Sequence, residues 1–197
     1  MLSVVFSSCG IKGEASPQEK INTRLKQMQS YEAVACLKRF DGKEETQYTV
    51  RQCWQSDGKY RLEILEPEKY KGNYTVYNGS EICQYNPRVK DSIIHNVPEN
   101  MARNQLFVGE FAKNYFNSEN VSCAVAKFDE SKCTVIEAVI PGGNKYTATE
   151  KLWMDNETII PVKLVLYDSE GKERYTLEFE SFEYDVQFEN GTFEAAN

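Results

Sequence analysis

The sequence predicts a mainly β fold of the α+β class, a curved antiparallel sheet of about ten or eleven strands that stays an open, unclosed barrel. From Tyr31 onward most of the chain alternates apolar and polar residues, as half-buried strands do. Asp-Gly and Asn-Gly pairs separate successive runs, and such pairs are strong hairpin signals. Two segments have a helical period instead, and we expect these helices to cover the concave face of the sheet.

The first predicted helix precedes the strands. Ser16 stands at the N-cap position, Pro17 lies in the first turn, and Glu19 completes a capping box. Apolar residues then recur at the spacing of one helix face, at Ile21, Leu25 and Met28. We expect one amphipathic helix of about 14 residues whose apolar stripe packs on the sheet.

A first group of strands follows as a meander. Its turns are Asp41-Gly42, Asp57-Gly58 and Asn78-Gly79, and each lies between alternating runs. The predicted strands are 31–40, 45–54, 59–65, 73–77 and 81–85. The chain therefore starts its sheet with antiparallel hairpins.

A second helix is predicted around residues 100–117, where Phe107, Phe111 and Tyr115 recur every four residues. Strands then resume at 121–128, 132–140, 146–154, 161–167 and 174–186. In the last of these strands the apolar residues change from odd-numbered to even-numbered positions near Glu180-Ser181. This change predicts a β-bulge that bends the strand. No repeat or linker divides the chain.

Length and charge limit the function classes. A chain of 197 residues is one domain with at most a short tether. Its net charge of −7, without a basic patch, disfavours DNA and RNA as partners. We expect no cofactor.

The cysteines are expected to act as buried apolar side chains. No two of the six are spaced as CxxC, and His95 is the only histidine, so a metal site lacks its usual ligands. Most of the cysteines fall inside strand-like runs, where free buried thiols are the default. A disulfide between Cys123 and Cys133 across a hairpin is the alternative that stays open.

The first ten residues, MLSVVFSSCG, resemble the end of a bacterial lipoprotein signal, in which Cys9 is lipidated after cleavage. A lipid at this thiol would hold the protein on a membrane outside the cytoplasm. The predicted organisation is therefore a partial signal at 1–9, a tether at 10–15 and a folded domain at 16–197. The other interpretation is an apolar N-terminus with a chance cysteine.

Catalytic residues are not predicted. Hydrolysis by a nucleophile usually needs a base, and His95 is expected to be structural or to lie on the surface. Carboxylate pairs such as Glu44-Glu45, Glu63 with Glu66, and Glu178 with Glu180 are expected on a solvated face. Many aromatic residues, including Trp54, Tyr60, Phe107 and Phe111, either fill a core or line a cavity for acyl chains.

Two segments resemble the LolA/LolB-like lipoprotein carrier superfamily. They are the paired hairpins DGKYRLEILEP (57–67) and YNGSEICQYNP (77–87), and the C-terminal hairpin LWMDNETIIP (152–161) with VKLVLYDSEG (162–171). The resemblance covers residues 16–194 and implies a half-barrel with helices as a lid, which binds apolar ligands in its concave face. The periplasmic carrier has an arginine where this chain has Cys53-Trp54-Gln55-Ser56, and a large aromatic residue at the position of Cys83. We therefore expect the concave face to be filled or reshaped.

Within this superfamily the chain looks most like clostridial spore germination lipoproteins. That resemblance implies a non-catalytic protein that binds and activates a zinc-dependent N-acetylmuramoyl-L-alanine amidase during cortex modification. The alternative is a carrier or sensor of lipoproteins or acyl lipids, and an enzyme is the third interpretation. The free strand edges of an open barrel are also compatible with a homodimer that exchanges strands. The residues that bind the partner are not predicted.

Overall fold

The computed structural model describes residues 14–42, 44–98 and 101–195 of the chain. The two helices are α1 (Pro17–Gln27) and α2 (Val108–Asn117). The first six strands are β1 (Ser30–Phe40), β2 (Glu45–Gln55), β3 (Tyr60–Glu66), β4 (Tyr74–Tyr77), β5 (Glu81–Asn86) and β6 (Asp91–Asn96). The remaining strands are β7 (Val121–Phe128), β8 (Ser131–Val139), β9 (Thr149–Asp155), β10 (Pro161–Tyr167) and β11 (Glu173–Tyr184).

All eleven strands form one antiparallel sheet, in the order β6-β5-β4-β3-β2-β1-β11-β10-β9-β8-β7. The two meanders therefore join in the middle, where β1 pairs with the last strand, β11. The end strands β6 and β7 do not pair with each other, so the sheet is the predicted open half-barrel. The predicted bulge is also present, because Val34 faces Ser181 whereas Ala35 faces Phe179, which leaves Glu180 as the extra residue.

Helix α1 begins at the predicted capping box. The Glu19 N–H donates to Ser16 Oγ at 3.3 Å, and the Ser16 N–H donates to a Glu19 carboxylate oxygen at 2.7 Å. The helix is 11 residues long, somewhat shorter than predicted, and buries Ile21 and Leu25 against the concave face.

Helix α2 begins later than predicted, at Val108 rather than near residue 100. Two side chains explain the difference. Asn104 Oδ1 accepts a hydrogen bond from the Leu106 N–H, which forms a turn, and Gln52 Nε2 donates to the Leu106 carbonyl. These bonds use backbone groups that an extended helix would need for itself.

The main core lies between the concave face and the two helices. The opposite, convex face carries a second, smaller cluster made of Cys53, Tyr74, Val76, Cys83 and Phe193. Phe193 belongs to the C-terminal segment 186–195, which leaves β11 and packs on this convex face. The strand predicted over 174–186 therefore ends at Tyr184.

Tyr31 connects the sheet to the start of α2. It is fully buried, its hydroxyl donates to Gln52 Oε1 at 3.1 Å, and the same hydroxyl accepts the Val108 N–H at 3.1 Å. The N-cap residue, Phe107, makes no capping bond with its side chain. Tyr31 therefore satisfies a helix N–H that would otherwise be buried without a partner.

We expect Tyr31→Phe to lower the free energy of unfolding by about 1–3 kcal/mol, because it leaves the Val108 N–H and Gln52 Oε1 buried without this bond. Urea denaturation followed by far-UV circular dichroism measures the change. Tyr146→Phe is the matched control, since that side chain is exposed and should change stability by less than about 0.5 kcal/mol. Equal stability of the two variants would show that the hydroxyl does not anchor α2.

Candidate functional site: the concave face and the free edges

The concave face is filled by aromatic side chains. The rings of Tyr60 and Phe107 lie 4.9 Å apart, those of Tyr60 and Tyr77 5.7 Å apart, and those of Tyr31 and Trp54 5.9 Å apart. All five residues are buried. The sequence left open whether these aromatic residues fill a core or line a cavity, and in the structure they fill the core.

Trp54 lies directly beneath the helix that covers this face. A Cβ atom added to Gly109 of α2 would collide with the Trp54 indole, so the helix backbone contacts the ring face. The superfamily resemblance places a lid-latching arginine in this stretch. Here the lid helix is held by apolar contact with an indole, together with the Tyr31 hydrogen bond.

Cys83 does not reshape the concave face. Its side chain belongs to the convex cluster, beside Val76 and Cys53 and under the C-terminal segment. The concave face is filled, as one of the two expected outcomes, but Cys83 takes no part in this, because alternate residues of a strand face opposite sides of the sheet.

A buried carboxylate lies between α2 and β9. Glu150 is fully buried, and one of its oxygens accepts a hydrogen bond from Asn114 Nδ2 at 2.7 Å. Its other oxygen has no hydrogen-bond partner within the described part of the chain. Burial raises the pKa of Glu150 to about 7; the Asn114 bond opposes this shift and the nearby Glu110 charge adds to it. Glu110 is itself buried and pairs with Lys113 at 2.8 Å.

The cysteines of the described residues are free thiols, as expected by default. The alternative of a Cys123–Cys133 disulfide is wrong. Cys123 faces Ile136 in the β7–β8 hairpin and Cys133 faces Ala126, so the two thiols lie on opposite faces of the sheet. Cys133 is buried, whereas Cys123 is exposed on the concave side.

The other residues considered for chemistry lie apart from one another. His95 is exposed on β6, in agreement with a surface histidine. Glu178 makes ion pairs with Lys38 and Lys163, and Glu63 pairs with Arg61. In residues 14–42, 44–98 and 101–195, no three His, Cys, Asp or Glu side chains are grouped as metal ligands. Within the same residues no helix is both long and apolar enough to cross a bilayer.

The two end strands expose apolar side chains in different ways. On β6, Ile93 and Ile94 are 59% and 49% exposed. On β7, Val121 and Val125 are 45% and 67% exposed, and both face the concave side, as Cys123 does. Sequence reasoning identified none of these positions, because alternation of apolar residues does not tell an end strand from a central one.

The start of α1 adjoins β7. Gln18 Nε2 lies 3.3 Å from Cys123 Sγ, and Ser16 and Pro17 line a groove of about 380 Å³ with Val125. Cys9, the predicted lipidation site, lies outside the described residues. The described chain begins at Glu14, two residues before this groove.

The family model described as "Sporulation protein YdcC-like" matches residues 1–193. Sporulation protein YdcC of Bacillus subtilis (strain 168) is 22% identical over 191 residues, which cover 97% of this chain and 56% of that protein. The chain therefore spans little more than half of the length of this curated relative.

Solved structures include chains that are similar to nearly the whole of this chain. An uncharacterized conserved protein from Thermus thermophilus is 15% identical, with a TM-score of 0.58 and coverage of 91% of this chain and 94% of that one. The structure of the CwlD amidase from Clostridioides difficile in complex with the GerS lipoprotein contains a chain that is 26% identical, with a TM-score of 0.53. That match covers 93% of this chain and 99% of the other.

The open half-barrel that the LolA/LolB-like resemblance implies is present, and the complex that contains GerS agrees with the likeness to clostridial lipoproteins. The hairpin motifs that carry the resemblance form β3 to β5 and β9 to β10, at the predicted places in the sheet. The motifs therefore identified the architecture, although they named no binding residue.

We expect Glu150→Gln to stabilise the protein at pH 8 and to have little effect at pH 5. The folded-state pKa of about 7 lies above the ordinary value of 4.5, so folding favours the protonated acid. Stability is therefore lost as pH rises from about 4.5 to about 7, by up to about 3 kcal/mol, and is level above that range. Urea denaturation at pH 5, 6, 7 and 8 measures this loss.

Glu137→Gln is the control for this experiment, because Glu137 is only half-buried on β8 and pairs with Lys151. Its stability should follow that of the unsubstituted protein at every pH. A Glu150→Gln variant that is destabilised equally at pH 5 and pH 8 would contradict the assignment of a buried acid that resists ionisation.

Proposed function

The chain belongs to the YdcC-like family of sporulation proteins, and we propose that it is a non-catalytic, lipid-anchored protein that binds and activates a cell-wall amidase. The setting proposed is cortex peptidoglycan modification during spore formation and germination. The single observation that carries this proposal is the match to a complex of the CwlD amidase with the GerS lipoprotein, at 26% identity over 93% of this chain.

The filled concave face supports protein binding over lipid carriage. An acyl carrier needs a cavity that excludes water around the chain, since each buried methylene contributes about 0.8 kcal/mol. Here Tyr60, Phe107 and Phe111 occupy that space and pack against one another or the sheet. In the alternative, a carrier of lipoproteins or acyl lipids, α2 would have to leave the sheet to open a cavity. It would then lose its contacts with Tyr31 and Trp54.

In this proposal the partner supplies the chemistry. A zinc-dependent N-acetylmuramoyl-L-alanine amidase carries its own hydrolytic centre, so this chain contributes binding surface rather than a nucleophile or a base. The exposed, separate position of His95 suits such a division of roles.

Lipid on Cys9 would hold the complex at a membrane outside the cytoplasm. Six residues lie between Cys9 and Ser16, and the seven Cα–Cα steps from one to the other span at most about 25 Å when extended. An anchor on so short a tether would keep the β7 end of the domain near the membrane surface and leave the rest of the sheet for the partner.

Native mass spectrometry of residues 10–197 mixed with the cognate cortex amidase tests the partner. We expect a new species with the summed mass of the two proteins and faster hydrolysis of muramoyl-alanine bonds by the mixture than by the amidase alone. The free protein should carry no adduct of acyl-chain mass. Two separate proteins at micromolar concentration would contradict the amidase proposal, and a persistent lipid adduct without a complex would favour the carrier.

Metabolic labelling of the full chain with an alkyne-tagged fatty acid tests the anchor. We expect the label and membrane association in the unsubstituted protein and their loss in Cys9→Ser, because the thiol is the acceptor of the diacylglycerol. Cys123→Ser, which removes an exposed thiol from the folded domain, is the matched control and should keep both. Equal labelling of the two variants would show that Cys9 is not lipidated.

A further inference from the structure

The strand β6 (Asp91–Asn96) exposes apolar side chains on both faces of the sheet. Ile93 faces Gln84 and lies on the concave side, whereas Ile94 faces Cys83 and lies on the convex side. The two isoleucines are 59% and 49% exposed. A partner that rests on one face of the sheet would cover only one of them. A strand added beside β6 would bring neighbouring side chains to both, because cross-strand pairs form on each face.

The outer edge of β6 also offers backbone hydrogen-bonding groups. The Val97 N–H donates to the Ser80 carbonyl of the preceding hairpin, so the odd-numbered residues of this strand bond toward β5. The even-numbered residues then point their N–H and C=O groups away from the sheet. In agreement with this register, the Ser92 N–H bonds to the Asp91 carboxylate instead of to β5. Ile94 and Asn96 follow in the same outward direction.

A groove beside β6 would receive side chains of an added strand. It has a volume of about 390 Å³ and is lined on the concave side by Leu62, Ile64, Thr75, Gln84 and Ile93. Val89, which is 67% exposed in the β5–β6 turn, also lines the groove. The groove combines aliphatic walls with amide and hydroxyl groups, which suits an extended peptide with an apolar side chain at alternate positions.

The edge itself is not protected against pairing. Many sheets block an end strand with lysine, proline or an inward-pointing charge. Asp91, the first residue, is the only charged residue of β6, and no proline interrupts the strand. Such an edge is expected to be covered by a partner.

The position of the proposed anchor distinguishes the two edges. Strand β7 adjoins the start of α1, and its exposed valines all lie on one face. Strand β6 ends the sheet ten strand spacings away, which is about 48 Å along the curved sheet. The β6 edge is thus the one that a membrane anchor leaves accessible.

We infer that β6 is the docking edge for the partner amidase, which adds an extended segment antiparallel or parallel to it. This inference rests on the proposed function, since it assigns the surface that the same partner uses. The segment would pair its backbone with Ile94 and Asn96 and place an apolar side chain in the groove beside Ile93.

The test compares three substitutions at one position in the full chain. Ile94→Pro removes the outward N–H without removing a bond to β5, and Ile94→Lys keeps the backbone but adds an edge-blocking charge. Both substitutions should weaken binding and so raise the dissociation constant of the amidase complex at least about ten-fold. Ile94→Val keeps the N–H and the apolar branch, and it should bind within about two-fold of the unsubstituted protein. Circular dichroism establishes that each variant is folded.

Hydrogen–deuterium exchange over residues 91–97 gives an independent readout on the unsubstituted protein. We expect the outward amides to exchange rapidly in the free protein and to be protected when the amidase is added. If the amidase binds but neither Ile94→Lys nor Ile94→Pro weakens it, and exchange is unchanged, docking at β6 is wrong and the proposed function stands. If these amides become protected as the concentration of this protein rises, without any amidase, the edge binds a second copy of the chain and docking of the amidase at β6 is wrong. If the unsubstituted protein does not bind the amidase, the proposed function itself fails.

Discussion

The attachment of α2 to the concave face is the constraint on which the rest of the structure depends. Tyr31 lies at its centre, where its ring stacks on Trp54 and Phe182 while its hydroxyl bonds to Gln52 and to the first N–H of the helix. An open half-barrel has a wide apolar surface that must be covered, and the buried polar bonds hold the cover in one position. Because α2 is held there, the concave face is core rather than a cavity.

This constraint fills the concave face, so the proposed binding function falls to the edges of the sheet. A carrier of the same architecture has to let its lid open for the ligand to enter. Here Trp54 lies flat beneath Gly109, so opening would expose an indole together with the rings around Tyr60. The same eleven strands that would enclose a ligand in a carrier then serve as a scaffold with two unpaired edges.

The two edges differ in what they present. Strand β7 shows its valines on one face beside the start of α1, which is where a lipid tether would join the domain. Strand β6 shows isoleucines on both faces, next to outward backbone groups and a groove. A membrane at one edge and an extended protein segment at the other would let both be occupied at once. In this proposal the barrel is open because both edges have to stay accessible.

Sequence alone determined the features that depend on neighbouring residues. The Asp-Gly and Asn-Gly turns, the Ser16–Glu19 capping box and the bulge at Glu180 were all predictable, because each depends on backbone conformations that a few adjacent residues favour. Only the tertiary structure decided what each face contacts. It placed Glu150 in the core, put Cys123 and Cys133 on opposite faces, and made Ile93 and Ile94 part of an end strand. The reason is that burial depends on strand order and on which element covers a face, and neither is encoded in the local alternation of apolar residues.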